Sequence, residues 1–207
     1  MTAGVIVAGG RSTRFGATDK AVAELAGRPL IAHVASGIES GLNQLIVSCR
    51  REQREAIAAA LSGVAMPVSF AFDDREVGPL GGICDGLQAS DSEWTLVVGC
   101  DFPFVDDRVV EALSPDAAVD TVDAVVFRFP DGSIQPLCGL YRTDSAHVTS
   151  QQMLAADDRR ARTLVDQLST RYVDVTEHGE FADRLENINT AAELAAAESQ
   201  LSESERS

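Results

Sequence analysis

Lysine is almost absent from this 207-residue chain: sixteen arginines accompany a single lysine, Lys20. Basic residues are scattered rather than clustered, and the formal charge is -15. A protein that grips a nucleic-acid backbone through a basic face is therefore excluded. Cysteine is sparse too. Cys49, Cys84, Cys100 and Cys138 never form a CxxC pair, so neither a zinc site nor a disulfide scaffold is indicated, and the four thiols are expected reduced and mostly buried. The three histidines, His33, His147 and His178, have no serine or cysteine partner at a recognisable spacing and are assigned no chemistry. Long apolar runs are missing as well. Nothing approaches the roughly eighteen residues of a membrane span, and the N-terminus lacks the basic-then-apolar pattern of a leader. The expectation is a cytoplasmic protein with neither membrane nor nucleic acid as partner.

What is present suffices for a folded core. Hydrophobic residues make up 45% of the chain, which predicts one domain over residues 1–200 and a disordered tail over 201–207. An acidic surface carrying arginine in place of lysine points to a halophilic source, where salt shortens the range of repulsion. Short β-branched runs over 5–7, 45–48, 68–72, 95–98, 124–129, 135–141 and 172–175 predict strands. Apolar spacing near 3.6 predicts helices over 30–39, 52–61, 82–89, 108–113, 145–156 and 162–168, with a last helix opened by the capping box Thr190-Ala191-Ala192-Glu193. This alternation gives the fold class: an α/β, Rossmann-like three-layer sandwich with a mostly parallel sheet. The turn Phe129-Pro130-Asp131-Gly132-Ser133 adds an antiparallel hairpin and makes the sheet partly mixed.

Ligands of open α/β sheets sit beyond the carboxyl ends of the strands. Five segments there carry chemistry. After Val5-Ile6-Val7 comes Ala8-Gly9-Gly10-Arg11-Ser12-Thr13-Arg14-Phe15-Gly16-Ala17-Thr18-Asp19-Lys20. Its glycines let backbone N–H groups approach an anion, and three cations within ten residues make it a phosphate cradle. It is neither a Walker A loop nor a GxGxxG fingerprint. After 68–72 comes Asp73-Asp74, then Gly78-Pro79-Leu80-Gly81-Gly82, a turn that delivers backbone and a carboxylate to a base or ribose. After 95–98 comes Gly99-Cys100-Asp101-Phe102-Pro103, whose Asp101 is placed to hold Mg²⁺ together with substrate phosphates. The remaining two are Gln135-Pro136-Leu137-Cys138-Gly139-Leu140-Tyr141 and Glu186-Asn187-Ile188-Asn189-Thr190. In the latter, Asn187 and Asn189 alternate onto one face.

The glycine-rich loop ending in Asp19-Lys20, followed by Gly27-Arg28-Pro29-Leu30, resembles the MobA-like nucleotidyltransferases. Gly78-Pro79-Leu80-Gly81-Gly82, Cys100-Asp101-Phe102-Pro103 and Asn187-Ile188-Asn189-Thr190 with Glu193-Leu194 are similar to the molybdenum cofactor guanylyltransferase branch, over Val5 to about Leu194. Phe15 stands where methionine is usual, and the loop between Asp74 and Gly78 is short. The resemblance implies the fold of the nucleotide-diphospho-sugar transferases and transfer of GMP from GTP to molybdopterin-bound molybdenum, with pyrophosphate as second product. It further implies that Ala8, Gly9, Gly10, Arg11, Lys20, Asp74, Gly78 and Asp101 bind the nucleotide, and that Lys20, Arg14 and Asp101 are catalytic. Asp101 would hold Mg²⁺, and Asn187 and Asn189 would face the molybdopterin acceptor. Between Asp73 and Asp74, the choice of the nucleotide-contacting residue stays open. Implied partners are GTP, molybdopterin, and molybdoenzymes or cofactor-insertion proteins. Rival readings are a molybdopterin cytidylyltransferase, a cobinamide-phosphate or phospholactate guanylyltransferase, and a non-catalytic GTP-binding protein of the same fold.

Overall fold

The computed structural model describes residues 2–10, 19–73, 77–114, 121–176, 179 and 181–204. Along them run β1 (Thr2–Val7), β2 (Glu24–Leu25), β3 (Arg28–Pro29), α1 (Leu30–Ile38), β4 (Leu42–Cys49), α2 (Arg54–Ala60), β5 (Val68–Phe72) and α3 (Pro79–Gln88). There follow β6 (Trp94–Gly99), α4 (Asp107–Leu113), β7 (Ala124–Arg128), β8 (Ile134–Arg142), α5 (Thr143–Ala155), α6 (Ala161–Gln167), β9 (Thr170–Asp174) and α7 (Ala191–Ser204). Seven strands form one sheet in the order β5-β4-β1-β6-β8-β7-β9. β8 runs antiparallel to β6 and β7, while the other pairs in that sheet are parallel. The mostly parallel, partly mixed sheet is as expected. Its late hairpin closes at the predicted turn, where Phe129 N–H donates to Ser133 O at 2.8 Å.

Successive residues of each strand point to opposite faces, so each strand feeds two cores. Ile6, Val47 and Val98 pack with Val34 of α1, Ile57 of α2 and Val109 of α4. Val5, Ile46 and Val97 pack with Ile83 of α3, Met153 of α5 and Leu164 of α6. Helices on both faces complete the three layers. α3 lies especially close to β1, because a Cβ on Gly86 would come within 2.4 Å of Val5 Cγ1 and one on Gly82 within 2.7 Å of Val7 Cγ1. All four cysteines are free and buried within these layers.

Several elements differ from the sequence reading, and β1 and β4 begin earlier than expected, at Thr2 and Leu42. α3 begins at Pro79, three residues before the expected start at Gly82, because proline is pre-shaped for a first helical position and Gly78 turns the chain at φ +87. The β2–β3 hairpin was not foreseen: its strands are two residues each, too short to show a period. Its turn residues Ala26 and Gly27 both take left-handed angles, φ 50 and φ 74. α7 runs on to Ser204, past Gln200 where fraying is expected. Leu194, Ala197 and Leu201 anchor it against Leu25 and Leu30. Its capping box forms as read, with Glu193 N–H donating to Thr190 Oγ1 at 3.2 Å and Thr190 N–H donating to Glu193 Oε2 at 3.0 Å. Among the described residues, no helix is long and apolar enough to cross a membrane.

Candidate active site

Strand order reverses direction at β1, with β4 to one side and β6 to the other, so the loops leaving β1 and β6 part above a crevice. Val7 and Gly99 are partners in the ladder, and Cys100 N–H donates to Val7 O at 3.1 Å. Ala8-Gly9-Gly10 and Cys100-Asp101 therefore leave the sheet side by side. Between them opens a cavity of about 340 Å³, a size suited to a small ligand. Its walls come from Ala8, Gly9 and Gly10 after β1, Asp73 after β5, Gly78, Pro79 and Gly82 at the start of α3, and Cys100 and Asp101 after β6. No atom of the described residues lies within 4 Å of the place a Cβ would take on Gly10. None of them packs against that glycine, which suits a backbone that must admit a ligand.

Lys20 closes the cavity. It opens a single 3₁₀ turn, Lys20–Val22, whose cap is Asp19: Oδ1 accepts Ala21 N–H at 3.0 Å. From there the Lys20 ammonium donates to Asp101 Oδ2 at 2.8 Å and to Asn189 Oδ1 at 2.9 Å. Ile188 N–H donates to the Asp101 carbonyl at 2.9 Å, which pins the Asn187-Ile188-Asn189 segment beside the β6 loop. Lys20 and Asp101 are mostly buried, with side-chain exposures of 13% and 18%. A charged pair held at that depth has its partner supplied on the spot.

The predicted residues thus divide. Ala8, Gly9, Gly10, Lys20, Gly78 and Asp101 line one cavity, and Asn189 joins it through Lys20. Asn187 is half-buried on the same segment but does not line the cavity. Arg11, Arg14, Phe15 and Asp74 lie outside the described residues. Asp73, the described member of the Asp73-Asp74 pair, stands on the cavity wall, only 5% exposed. It nestles against the first turn of α3, where a Cβ on Gly81 would stand 3.3 Å from both of its oxygens.

Several residues at the site carried no assigned role. Leu137 lines the cavity where β8 bulges away from β7: Val126 pairs with Gly139 and Phe127 with Gln135, leaving Pro136, Leu137 and Cys138 without partners on β7. The buried Tyr141 hydroxyl ties the bulge by donating to Pro136 O at 2.7 Å. A proline inside a strand pattern was the available signal. Gln53, 3% exposed, has its side-chain NH₂ on Ala8 O at 3.0 Å and on Asp19 Oδ2. Arg50 Nη1 donates to Gly10 O at 3.4 Å. Polar residues at the head of a helix look like solvated ones, so neither stood out.

A family model described as the MobA-like NTP transferase domain matches residues 4–172. The chain belongs to that family. It is 36% identical over 203 residues to a probable molybdenum cofactor guanylyltransferase of Natronomonas pharaonis, covering 96% of this chain and 98% of that protein. It is 32% identical to the molybdenum cofactor guanylyltransferase of Pseudomonas putida, covering 92% and 94%. Among solved structures, molybdopterin-guanine dinucleotide biosynthesis protein A from Archaeoglobus fulgidus superposes with a TM-score of 0.78 at 24% identity. That likeness covers 98% of this chain and 100% of that one, and it bears on the fold alone.

In this MobA-like transferase the one thiol on the cavity wall is kept out of the chemistry. Burial first, and then the Asp101 carboxylate, push the Cys100 thiol far above its ordinary range. It stays protonated and is no nucleophile. Among the described residues, charge on the wall comes from the Asp73 and Asp101 carboxylates and the Lys20 ammonium. With the Cys100 thiol protonated, the described wall suits binding and alignment of a ligand rather than formation of a covalent thiol intermediate.

Proposed function

We propose that this protein transfers GMP from GTP to molybdopterin-bound molybdenum. The terminal phosphate of molybdopterin attacks the α-phosphorus of GTP; a new phosphorus–oxygen bond forms as the bond to the β-phosphate breaks, and pyrophosphate carries away the electron pair. The observation that carries this reading is the 2.8 Å contact between Lys20 and Asp101 at the mouth of a glycine-walled cavity. Two polyanions must meet there, so the protein's task is neutralisation and orientation. The family membership and the names of the relatives support the same transfer.

Each residue then has a task. The Ala8-Gly9-Gly10 backbone, with Gly78, receives the nucleotide. Lys20, with two of its three donors already given to Asp101 and Asn189, turns the third toward phosphate. Arg11 and Arg14, from the same loop, add positive charge, and Arg14 shares the catalytic role with Lys20. Asp73, from its place on the wall, accepts hydrogen bonds from the nucleoside, and Asp74 beside it is the alternative contact. Asn189 and Asn187 face the acceptor. Asp101 offers one hard carboxylate donor, which is what Mg²⁺ takes when phosphates and waters complete its shell. No group of three His, Cys, Asp or Glu side chains among the described residues would hold a metal unaided, so the donor set fits a substrate-shared Mg²⁺. When bound, that ion would withdraw charge from the phosphates.

Pyrophosphate release measured with GTP or CTP, each with and without molybdopterin, tests the proposal. Release is expected only when GTP and molybdopterin are present together. Preference for CTP would replace it with the cytidylyltransferase reading. GTP binding without release on molybdopterin, cobinamide phosphate or phospholactate would replace it with a binding protein.

A further inference from the structure

The glycine-rich loop starts at Ala8 and ends at Asp19, and one buried side chain touches both ends. Gln53, on the turn between β4 and α2, donates through Nε2 to Ala8 O at 3.0 Å and to Asp19 Oδ2. Its Oε1 accepts Arg50 N–H at 2.8 Å. That third bond fixes which way the amide faces: reversed, an oxygen would confront a carbonyl and a carboxylate while a nitrogen confronted an N–H. Both Nε2 donors are spent across the loop, and the side chain is 3% exposed. Asp19 is held from two sides, since its other oxygen caps the turn that begins at Lys20. A shift of Asp19 therefore moves the root of the lysine.

We propose that Gln53 is a positioning residue: it clasps the two ends of the loop together and so sets where the Lys20 ammonium stands. Gln53 does not line the cavity and acts only through Asp19 and Ala8. The effect on turnover rests on the transferase reading above; the effect on Lys20 does not.

Because the chain has one lysine, protein grown with ¹³Cε-lysine gives one side-chain resonance, which reports Lys20 directly. This resonance and steady-state pyrophosphate release from GTP and molybdopterin are measured on the full chain, on Gln53→Ala and on the isosteric Gln53→Glu. In both variants the Lys20 resonance is expected to leave its wild-type position. kcat should fall on the order of tenfold to a hundredfold, as a misplaced charged group costs, with KM for GTP changed by less than about threefold. Should Gln53→Ala not fold, Gln53→Glu carries the test. Asp19→Asn added to Gln53→Glu restores a donor opposite an acceptor and should recover part of the lost kcat, which a space-filling role would not. A Lys20 resonance unmoved in the folded variant, or a pair no better than Gln53→Glu alone, overturns the proposal. If the wild-type chain releases no pyrophosphate, the transferase reading fails and the resonance alone decides the clasp.

Discussion

Lys20 is bonded to Asp101 and Asn189 at once, so these three side chains are one unit, and substitutions within it should differ in kind. Lys20→Ala removes the ammonium and leaves the Asp101 carboxylate mostly buried without that partner; Asp101→Ala removes the carboxylate proposed to hold Mg²⁺. Each is expected to lower kcat by about a hundredfold or more while far-UV circular dichroism stays unchanged. Asn189→Ala should give a smaller loss, seen mainly as weaker molybdopterin binding. Near-normal turnover in Asp101→Ala would remove the metal role. Much of this unit was legible beforehand, because Asp101 and the loop follow apolar strands and lie where parallel sheets keep their ligands. The place of Asp73 on the cavity wall was not, since a carboxylate in a loop reads as solvated until α3 packs beside it. Gln53 was hidden for a related reason: two of its three bonds reach segments 34 and 45 residues away in the chain, and no local pattern records them.

Between elements, the close seat of α3 on β1 sets how near the Gly78-Pro79 turn comes to the cavity. Gly86→Ala tests that seat with a clear sign. In an open helix the change would stabilise by about 1 kcal/mol, but here the new methyl meets Val5 Cγ1 at 2.4 Å. Overpacking should instead cost about 1–3 kcal/mol, read as a lower urea midpoint; an unchanged or higher midpoint would refute the packing account. The principal strands and helices of the sandwich could be read from periodicity because each spans two or more repeats of its pattern. The β2–β3 hairpin could not, and the reach of α7 was missed with it, since Leu201 packs in the cluster that Leu25 of that hairpin and Leu30 of α1 help to form.

Across the whole molecule, an excess of acidic groups is managed by arginine. Arg51, Arg54, Arg128 and Arg142 stack over Phe72, Phe70, Tyr172 and Trp94 at 4.6 to 5.4 Å, contacts that a planar guanidinium makes and an ammonium makes less well. Relatives from Natronomonas pharaonis and Haloferax mediterranei, both halophilic, agree with the salt-adapted reading of the composition. One pair gives a prediction in pH. Burial works against charge on Asp106, but the Arg184 guanidinium at 2.6 Å and the Val109 and Arg108 N–H groups outweigh it and hold its carboxyl below the ordinary range. A carboxyl lowered in the folded state contributes stability above its unfolded pKa near ~3.9 and loses it as pH falls through the folded value. Asp106→Asn, which still caps α4, should therefore melt below wild type at pH 7 in fixed salt, and the gap should close under acid. A gap that persists at pH 2 would assign the effect to the cap instead.

The contacts of Lys20 reach 81 residues along the chain to Asp101 and 169 to Asn189. A growing polypeptide emerging from the ribosome can thus shape its sheet and still lack a finished pocket, because the closing asparagine is made after every strand of that sheet. Premature stops between the last strand and codon 189 should leave products that fold in part yet hold molybdopterin more weakly than the full chain does.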